Sequence, residues 1–387
     1  MTVLIPTLNA GKTILRAVQS ALVAGAARII ILDSGSTDDT VACIESLSAG
    51  EIQLIALKER ITLGAARQQL LKAVETEYAC WLDADDAFLP NHIEEVLVLL
   101  GTGKFDIVCP ELKIFDGLTG EFLRDAKIPE FVKNTGHYCR IFERNYLPGP
   151  GVVGLSVAFA KTIGYDDSLE SAEDFDFLLR SLIAGGRFTA ASQPTYQQFI
   201  YPDSLSRNID QQRSMVNRLT VKHRYPEISE LYRAAGVDAK VTEWGLCSMA
   251  LFRGDYLEAG QYLDRACPFT FNPDTVLEPD GPCRRTEGWR FTFVRGTLDL
   301  LLGQPETALT HLLECVHREK TPEGLNNLGV GLRMIGDEKQ ARGLFVKAIK
   351  LLPSYLDARL NLDSPDATRI TTHPLRSASP RPEYTHT

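Results

Sequence analysis

The chain has no cationic excess: 41 Lys and Arg stand against 50 Asp and Glu, a formal net charge of -9 over 387 residues. A general nucleic-acid binder and a polybasic membrane anchor both need a positive surface, so both are excluded, and any anion must be held by a local arrangement of groups. Close cysteine pairs are also missing. The 8 cysteines (Cys43, Cys80, Cys109, Cys139, Cys247, Cys267, Cys283 and Cys315) form no CxxC, and several lie inside apolar runs. They read as buried thiols, which excludes a zinc site or a disulfide framework. No apolar run approaches the length that spans a bilayer, so no integral membrane segment is expected. Val3-Leu4-Ile5 begins too close to Met1 to leave room for a signal peptide. A cytoplasmic location is the expectation.

What is present is the composition of a globular protein, 44% hydrophobic and 24% charged, in a chain too long for one ordinary core. Over the first hundred residues β-rich runs (2–5, 28–32, 52–57, 78–82) alternate with amphipathic helices (12–24, 38–47, 64–74, 91–99). This order predicts an α/β fold, a doubly wound and mainly parallel sheet with helices on both faces. Further strands are expected at 107–110, 112–115 and 152–159, with a loop forced by Pro148-Gly149-Pro150-Gly151 and a helix from Glu173. Strand signals stop near Asn208.

The second half carries an internal repeat. Gly254-Asp255-Tyr256-Leu257-Glu258-Ala259, Gly303-Gln304-Pro305-Glu306-Thr307-Ala308 and Gly336-Asp337-Glu338-Lys339-Gln340-Ala341 are versions of one turn between two helices. Leu328-Gly329, Gly336, Ala341, Phe345, Ala348 and Pro353 fall in the order of a tetratricopeptide repeat, which the segment resembles. Such repeats imply a concave face for an acceptor or partner protein. The expected organisation is an α/β domain over 1–220, a helical linker over 221–239, an all-α repeat domain over 240–362 with a long loop at 269–283, and a disordered Ser-, Thr- and Pro-rich tail over 363–387.

Ligands of a parallel sheet gather beyond the carboxyl ends of its strands. Three segments place polar or special residues there: Pro6-Thr7-Leu8-Asn9, Asp33-Ser34-Gly35-Ser36-Thr37-Asp38 and Asp83-Ala84-Asp85-Asp86. Crowding three carboxylates at one strand end is costly unless a hard cation lies between them; the alternative is a set of solvated acids, with Asp86 starting the next helix. Asp38 reads best as a helix cap. Arg67 fits either a diphosphate contact or a solvated helix surface.

Residues 2–207 resemble the family 2 glycosyltransferases with the GT-A nucleotide-sugar-binding fold. The matching stretches are Ile5-Pro6-Thr7-Leu8-Asn9, Leu32-Asp33-Ser34-Gly35-Ser36-Thr37-Asp38-Asp39-Thr40, Leu63-Gly64-Ala65-Ala66-Arg67, the DxD of Asp83-Ala84-Asp85, Gly164-Tyr165-Asp166, the ED pair Glu173-Asp174, and Ser204-Leu205-Ser206-Arg207. The resemblance implies an inverting sugar transfer from a nucleoside-diphosphate sugar, a UDP-sugar first among them. It assigns Pro6, Thr7, Asn9, Asp33, Ser34, Arg67, Asp83 and Ala84 to the donor, Asp83 and Asp85 to Mn²⁺ or Mg²⁺, and Asp174 with Glu173 to the acceptor's proton. The family often has a second Asp where Ser34 stands, and an arginine and a histidine where Gln197-Gln198-Phe199-Ile200-Tyr201 stands. The QxxRW motif of polymerising relatives is missing, since Gln211-Gln212-Arg213-Ser214 has the wrong spacing. Two other readings are a repeat scaffold with an inactive transferase domain and a nucleotidyltransferase. The latter usually has a glycine-rich basic loop, and Pro6-Thr7-Leu8-Asn9-Ala10-Gly11-Lys12 has one Gly and one Lys.

Overall fold

The computed structural model describes residues 1–47, 50–201, 217–266, 287–364, 366 and 368–372. The expected loop at 269–283, Ser204-Leu205-Ser206-Arg207, Gln211-Gln212-Arg213-Ser214 and the tail beyond 372 lie outside them. The chain forms two compact units. The first holds residues 1–201 together with 217–219 and 230–236; the second holds 220–229 and the described residues from Val237 onward.

The first unit is built on a sheet ordered β3-β2-β1-β4-β8-β6-β9-β5, with β7 paired to β6. Its first half is parallel: β1 (Thr2–Thr7) lies between β2 (Arg28–Asp33) and β4 (Tyr78–Trp81), with β3 (Ile52–Ala56) outside β2. All of β1 is buried, which explains its continuous apolar run: a central strand covered on both faces has no solvent side for alternation to mark. Registers Thr7↔Asp33 and Leu4↔Trp81 bring three carboxyl ends to one edge. Helices α1 (Ile14–Val23), α2 (Thr40–Glu45), α3 (Leu63–Ala73) and α4 (His92–Gly101) connect these strands and β5 (Ala87–Phe88).

Beyond β4 the sheet is mixed. The expected strands 107–110 and 112–115 are one strand, β6 (Ile107–Asp116), whose pairing to β9 shifts register between Cys109 and Glu111. Pro110, which has no N–H for a ladder, sits in that irregularity, so the strand continues past it. Residues 152–159 divide differently from the expectation: β8 (Gly154–Ser156) is short, and Val157 starts a helix that runs to Ile163. The 13-residue strand β9 (Phe188–Ile200) and the hairpin strand β7 (Phe122–Ala126) were not legible as strands. Helix α5 (Glu130–Lys133) precedes the next two helices, α6 (Val157–Ile163) and α7 (Glu173–Ile183).

His92 starts α4 fully buried, stacked on Phe88 at 4.0 Å with Nδ1 bonded to the Thr195 hydroxyl at 2.9 Å. Burial pushes its pKa down to about 3. The folded chain thus keeps His92 neutral while the unfolded chain protonates it below about 6.5, so this contribution to stability is present above that pH and is lost as pH falls. Between pH 7 and pH 5, urea titrations of wild type and His92→Gln should converge by about 2 kcal/mol. A constant difference between the two chains would place no titration at His92.

The second unit is helical among the described residues. Ala239–Arg253 packs on Tyr256–Ala266, Glu287–Leu301 on Pro305–Arg318, and Pro322–Met334 on Glu338–Leu351, followed by Leu356–Asp363. Gly254, Gly303 and Gly336 make the turns with φ of +84°, +73° and +91°. A Cβ on Gly329 would lie 2.6 Å from the Phe345 ring, so the small residue is what lets the last pair close. Residues 221–239 contain the helix Tyr225–Ala234. Within the stretch expected to be disordered, residues 369–372 are ordered instead, because buried asparagines bond their backbone.

Candidate active site

The loop after β2 is closed largely on itself. Asp33, 1% exposed, accepts the Ser36 N–H at 2.9 Å through one carboxylate oxygen and the Ser36 hydroxyl through the other. Ser34 accepts the Ile61 N–H at 2.8 Å and donates to the Ile61 carbonyl at 3.2 Å. Asp33 and Ser34, the residues expected near a base or ribose, thus have polar atoms bonded to Ser36 and Ile61. Asn9, with φ of +52°, accepts the Thr37 N–H at 2.9 Å, and its own N–H donates to Ser36 Oγ at 2.8 Å. Asp38 accepts N–H bonds from Gly11 at 3.0 Å and Thr40 at 3.1 Å, so it joins the first loop to the start of α2. These bonds, with that of the Thr40 hydroxyl the largest, hold its carboxyl below the usual range. Pro6 and Thr7 are buried in β1, and Thr7 Oγ1 has no hydrogen-bond partner.

The three acids after β4 separate into two kinds. Asp86 is 2% exposed and internal, accepting from the Tyr196 hydroxyl at 2.9 Å and the Phe199 N–H at 2.8 Å. It fastens β9 beneath the loop. Asp83 keeps 35% of its side chain exposed, and Asp85 is also partly open. Burial, opposed by Arg67 and reinforced by the charges of Asp85 and Asp174, pushes Asp83 up to about 6. Burial also raises Asp85. Ala84 is nearly covered between them. The Asp85 carbonyl accepts from Arg16, whose guanidinium lies 3.7 Å over the Phe199 ring and donates to the Tyr201 hydroxyl at 3.2 Å.

Arg67 is buried, not solvated. It is 2% exposed, donating from Nε to Glu173 at 2.7 Å, from one terminal nitrogen to the Gly151 carbonyl at 2.9 Å, and from the other to Asp83 at 3.3 Å. Its guanidinium also lies 4.7 Å over Trp81. Helix α3 can bring it there because Gly64 has no side chain: a Cβ would stand 2.0 Å from the Asp166 carbonyl oxygen. Thr62 caps that helix by accepting the Ala65 N–H at 3.0 Å. One buried arginine thus unites the DxD, the ED pair and the proline-glycine loop.

The ED pair splits in the same way as the DxD. Glu173 is 2% exposed, and burial together with the Asp174 charge, offset by Arg67, pushes it up to about 7. Its carboxylate is held against Arg67 Nε, whereas Asp174 is the more exposed member of the pair. Asp174 is the half-buried partner; one oxygen accepts the Phe175 N–H at 2.6 Å, and burial raises its pKa. Ala172 precedes the pair with φ of +58°, a left-handed conformation costly for alanine. A Cβ on Gly151 would lie 2.9 Å from both Asp174 Oδ2 and an Arg67 nitrogen, so the glycine is what lets both side chains pack there. Tyr165 stacks on Phe177 at 4.5 Å behind it.

Sequence reasoning missed Arg16, Gly151 as a site residue, and Tyr196 with Phe199 and Tyr201. Tyr196 belongs to a strand that was not foreseen. For Gly151 the signal is the Pro148-Gly149-Pro150-Gly151 turn, which predicts a loop; the structure sets that loop against Arg67 and Asp174. Among the described residues no group of three or more His, Cys, Asp or Glu side chains is placed to hold a metal ion. Asp83 and Asp85 could supply two carboxylates.

Comparison with known proteins gives a consistent result. Succinoglycan biosynthesis protein ExoU of Rhizobium meliloti (strain 1021) is 27% identical over 233 residues, covering 54% of this chain and 66% of that protein. ExoO of the same organism is 24% identical over 228 residues, covering 54% and 62%. The chain therefore spans just under two thirds of the length of these curated relatives. Among solved structures, S. aureus TarS 1–349 in complex with UDP-GlcNAc superposes with a TM-score of 0.53 at 15% identity, covering 82% of this chain and 91% of that one, which is a likeness of fold. The family profile described as Glycosyl transferase family 2 matches residues 2–160. The N-terminal unit thus has a GT-A fold like that of the TarS structure, and its residues 2–160 match the profile of glycosyl transferase family 2.

Proposed function

We propose that this crevice transfers a sugar from a nucleoside-diphosphate sugar, a UDP-sugar, to an acceptor hydroxyl with inversion at the anomeric carbon. The observation that carries the reading is the imbalance of charge at the open end: Asp83, Asp85 and Asp174 are crowded where Arg67 is the buried cation, and Arg67 is already shared with Glu173. Such a site favours a divalent ion. Mg²⁺ and Mn²⁺ are commonly held by one or two carboxylates completed by substrate phosphates, so Asp83 and Asp85 suffice without a third protein ligand. When bound, the ion supplies Lewis-acid stabilisation of the departing diphosphate. TarS was crystallised with UDP-GlcNAc, which supports a nucleotide-sugar donor for the shared fold.

Asp174 then takes the acceptor proton as the acceptor oxygen bonds to the anomeric carbon and the sugar–diphosphate bond breaks. Burial raises its pKa above the ordinary carboxylate range, which strengthens it as a proton acceptor. Glu173 and Arg67 fix it relative to Asp83. The thiols of Cys43, Cys80, Cys109, Cys139, Cys247 and Cys315 are free, and no described helix is long and apolar enough to cross a membrane, which supports the cytoplasm as the compartment.

Calorimetry with UDP and Mn²⁺ tests the donor site, with Asp85→Asn as its control. Asp85→Asn should weaken binding of the metal-nucleotide complex by at least about tenfold. Equal affinity in the two chains removes Asp85 from the ligand set. If wild type gives no heat with UDP or any other nucleoside diphosphate, the scaffold reading replaces the enzyme. Release of nucleoside diphosphate from a nucleotide sugar separates a transferase from a nucleotidyltransferase, which makes triphosphate from pyrophosphate.

A further inference from the structure

The second unit buries an unusual set of amides. Asn326 and Asn327 on Pro322–Met334 and Asn361 on Leu356–Asp363 are each 0% exposed. Side-chain amides are costly to bury without partners. Here the partners are the main chain of residues 369–371. Asn361 accepts the Arg369 N–H at 2.8 Å and donates to the Arg369 carbonyl at 2.9 Å. Asn327 repeats the grip two residues on, accepting the Thr371 N–H at 2.9 Å and donating to the Thr371 carbonyl at 2.8 Å. In extended backbone a residue's N–H and C=O point to the same side, and every second residue shares that side. The two asparagines therefore hold an extended strand by its backbone.

Side chains are read at one position and ignored at another. The Arg369 side chain is exposed, so its identity plays no part in the grip. Thr371 is fully buried, and its hydroxyl donates to Asp357 at 2.8 Å and meets the Tyr355 hydroxyl. Asn326 Nδ2 lies 3.4 Å from the same oxygen and 2.9 Å from the Arg369 carbonyl. Ile370 packs against the apolar cluster of this unit. A hydroxyl pocket beside two backbone clamps is a recognition pattern: the main chain provides affinity and the pocket provides selectivity.

We propose that this face is a binding site for an extended peptide carrying Ser or Thr, and that residues 369–372 are its resident occupant, displaceable by such a peptide from another protein. The inference concerns the helical unit alone and does not depend on the transfer reaction. The strap belongs to the same chain as the helix ending at Asp363, a few residues on, so its effective concentration at this face is high. A competing peptide binds well only when the strap's own hold is weakened.

The test uses the full chain and a fluorescent peptide with the sequence of residues 368–372, Thr-Arg-Ile-Thr-Thr. Thr371→Val in the protein should tighten peptide binding at least tenfold over wild type, because it removes the hydroxyl from the strap and leaves the groove intact. Adding Asn327→Ala should abolish that gain, and a peptide with valine in place of the threonine matching Thr371 should bind at least tenfold more weakly. A Thr371→Val chain that melts like wild type yet shows no saturable binding overturns the proposal. Hydrogen exchange on the wild-type chain gives a second, variant-free reading. Arg369 and Thr371 amides should exchange by local opening while the cores of Pro322–Met334 and Leu356–Asp363 stay protected; exchange only together with those helices makes the strap a fixed part of the core and overturns the proposal.

Discussion

Asp174→Asn is expected to lower the rate of sugar transfer by about 10²- to 10⁴-fold while leaving UDP and cation binding within a few-fold of wild type. The size follows from the role: an amide cannot take a proton from an attacking hydroxyl at neutral pH. The selectivity follows from the geometry. One oxygen of Asp174 accepts the Phe175 N–H at 2.6 Å, a bond an asparagine carbonyl can also make, so α7 starts as before. The other oxygen lies close against Gly151, where a side chain would clash with it. Glu173 stays on Arg67 in the variant, so the link to Asp83 is retained. Losing the Asp174 charge lightens the repulsion on Asp83, whose elevated pKa includes that charge among its causes, and donor binding is therefore only modestly changed. Initial rates at saturating donor, set beside calorimetry with UDP and Mn²⁺, separate the two effects. Turnover within threefold of wild type puts the base on another residue.

The parts of this site legible in the sequence are those fixed by local chemistry. Apolar runs that end in Asp33 and Asp83 announce strand ends, and the crowding of Asp83, Asp85 and Asp86 announces an electrostatic problem wherever the chain folds. What local chemistry cannot show is which member of a cluster turns inward. Asp86 became an internal fastener because Tyr196 and Phe199, more than a hundred residues away, present an O–H and an N–H to it. Arg67 sits among Ala65, Ala66, Gln68 and Gln69 on a helix whose composition reads as solvated. Its burial is set by Asp83, Gly151 and Glu173, contacts separated by 16, 84 and 106 residues. β9 escaped notice for a related reason. Its parallel partner β6 lies some eighty residues upstream, and Gln197 and Gln198 break the apolar pattern that marks a strand.

Arg67→Met should cause the largest loss of stability, about 3–5 kcal/mol, because it removes one partner of a buried ion pair and leaves the other either unpaired or protonated at a cost. Methionine fills the stem's volume and keeps contact with Trp81, so packing changes little. The loss is electrostatic: Glu173, 2% exposed, faces Asp174 with no counter-ion, and the Gly151 carbonyl loses its donor. Glu173 is already pushed up to about 7 with Arg67 present, and without it the carboxyl is driven higher still. A folded-state pKa above the unfolded value means that the folded variant binds the extra proton. Its deficit relative to wild type therefore shrinks as pH falls from 8 toward 5 and grows as pH rises. Glu173→Gln in the same chain removes the stranded charge and should recover more than half of the loss, a coupling that urea unfolding of the two single variants and the double variant measures directly. Equal deficits in Arg67→Met and in the double variant mean that Glu173 is not what Arg67 neutralises. A variant of wild-type stability that loses only UDP affinity returns Arg67 to the diphosphate, where the family resemblance first placed it.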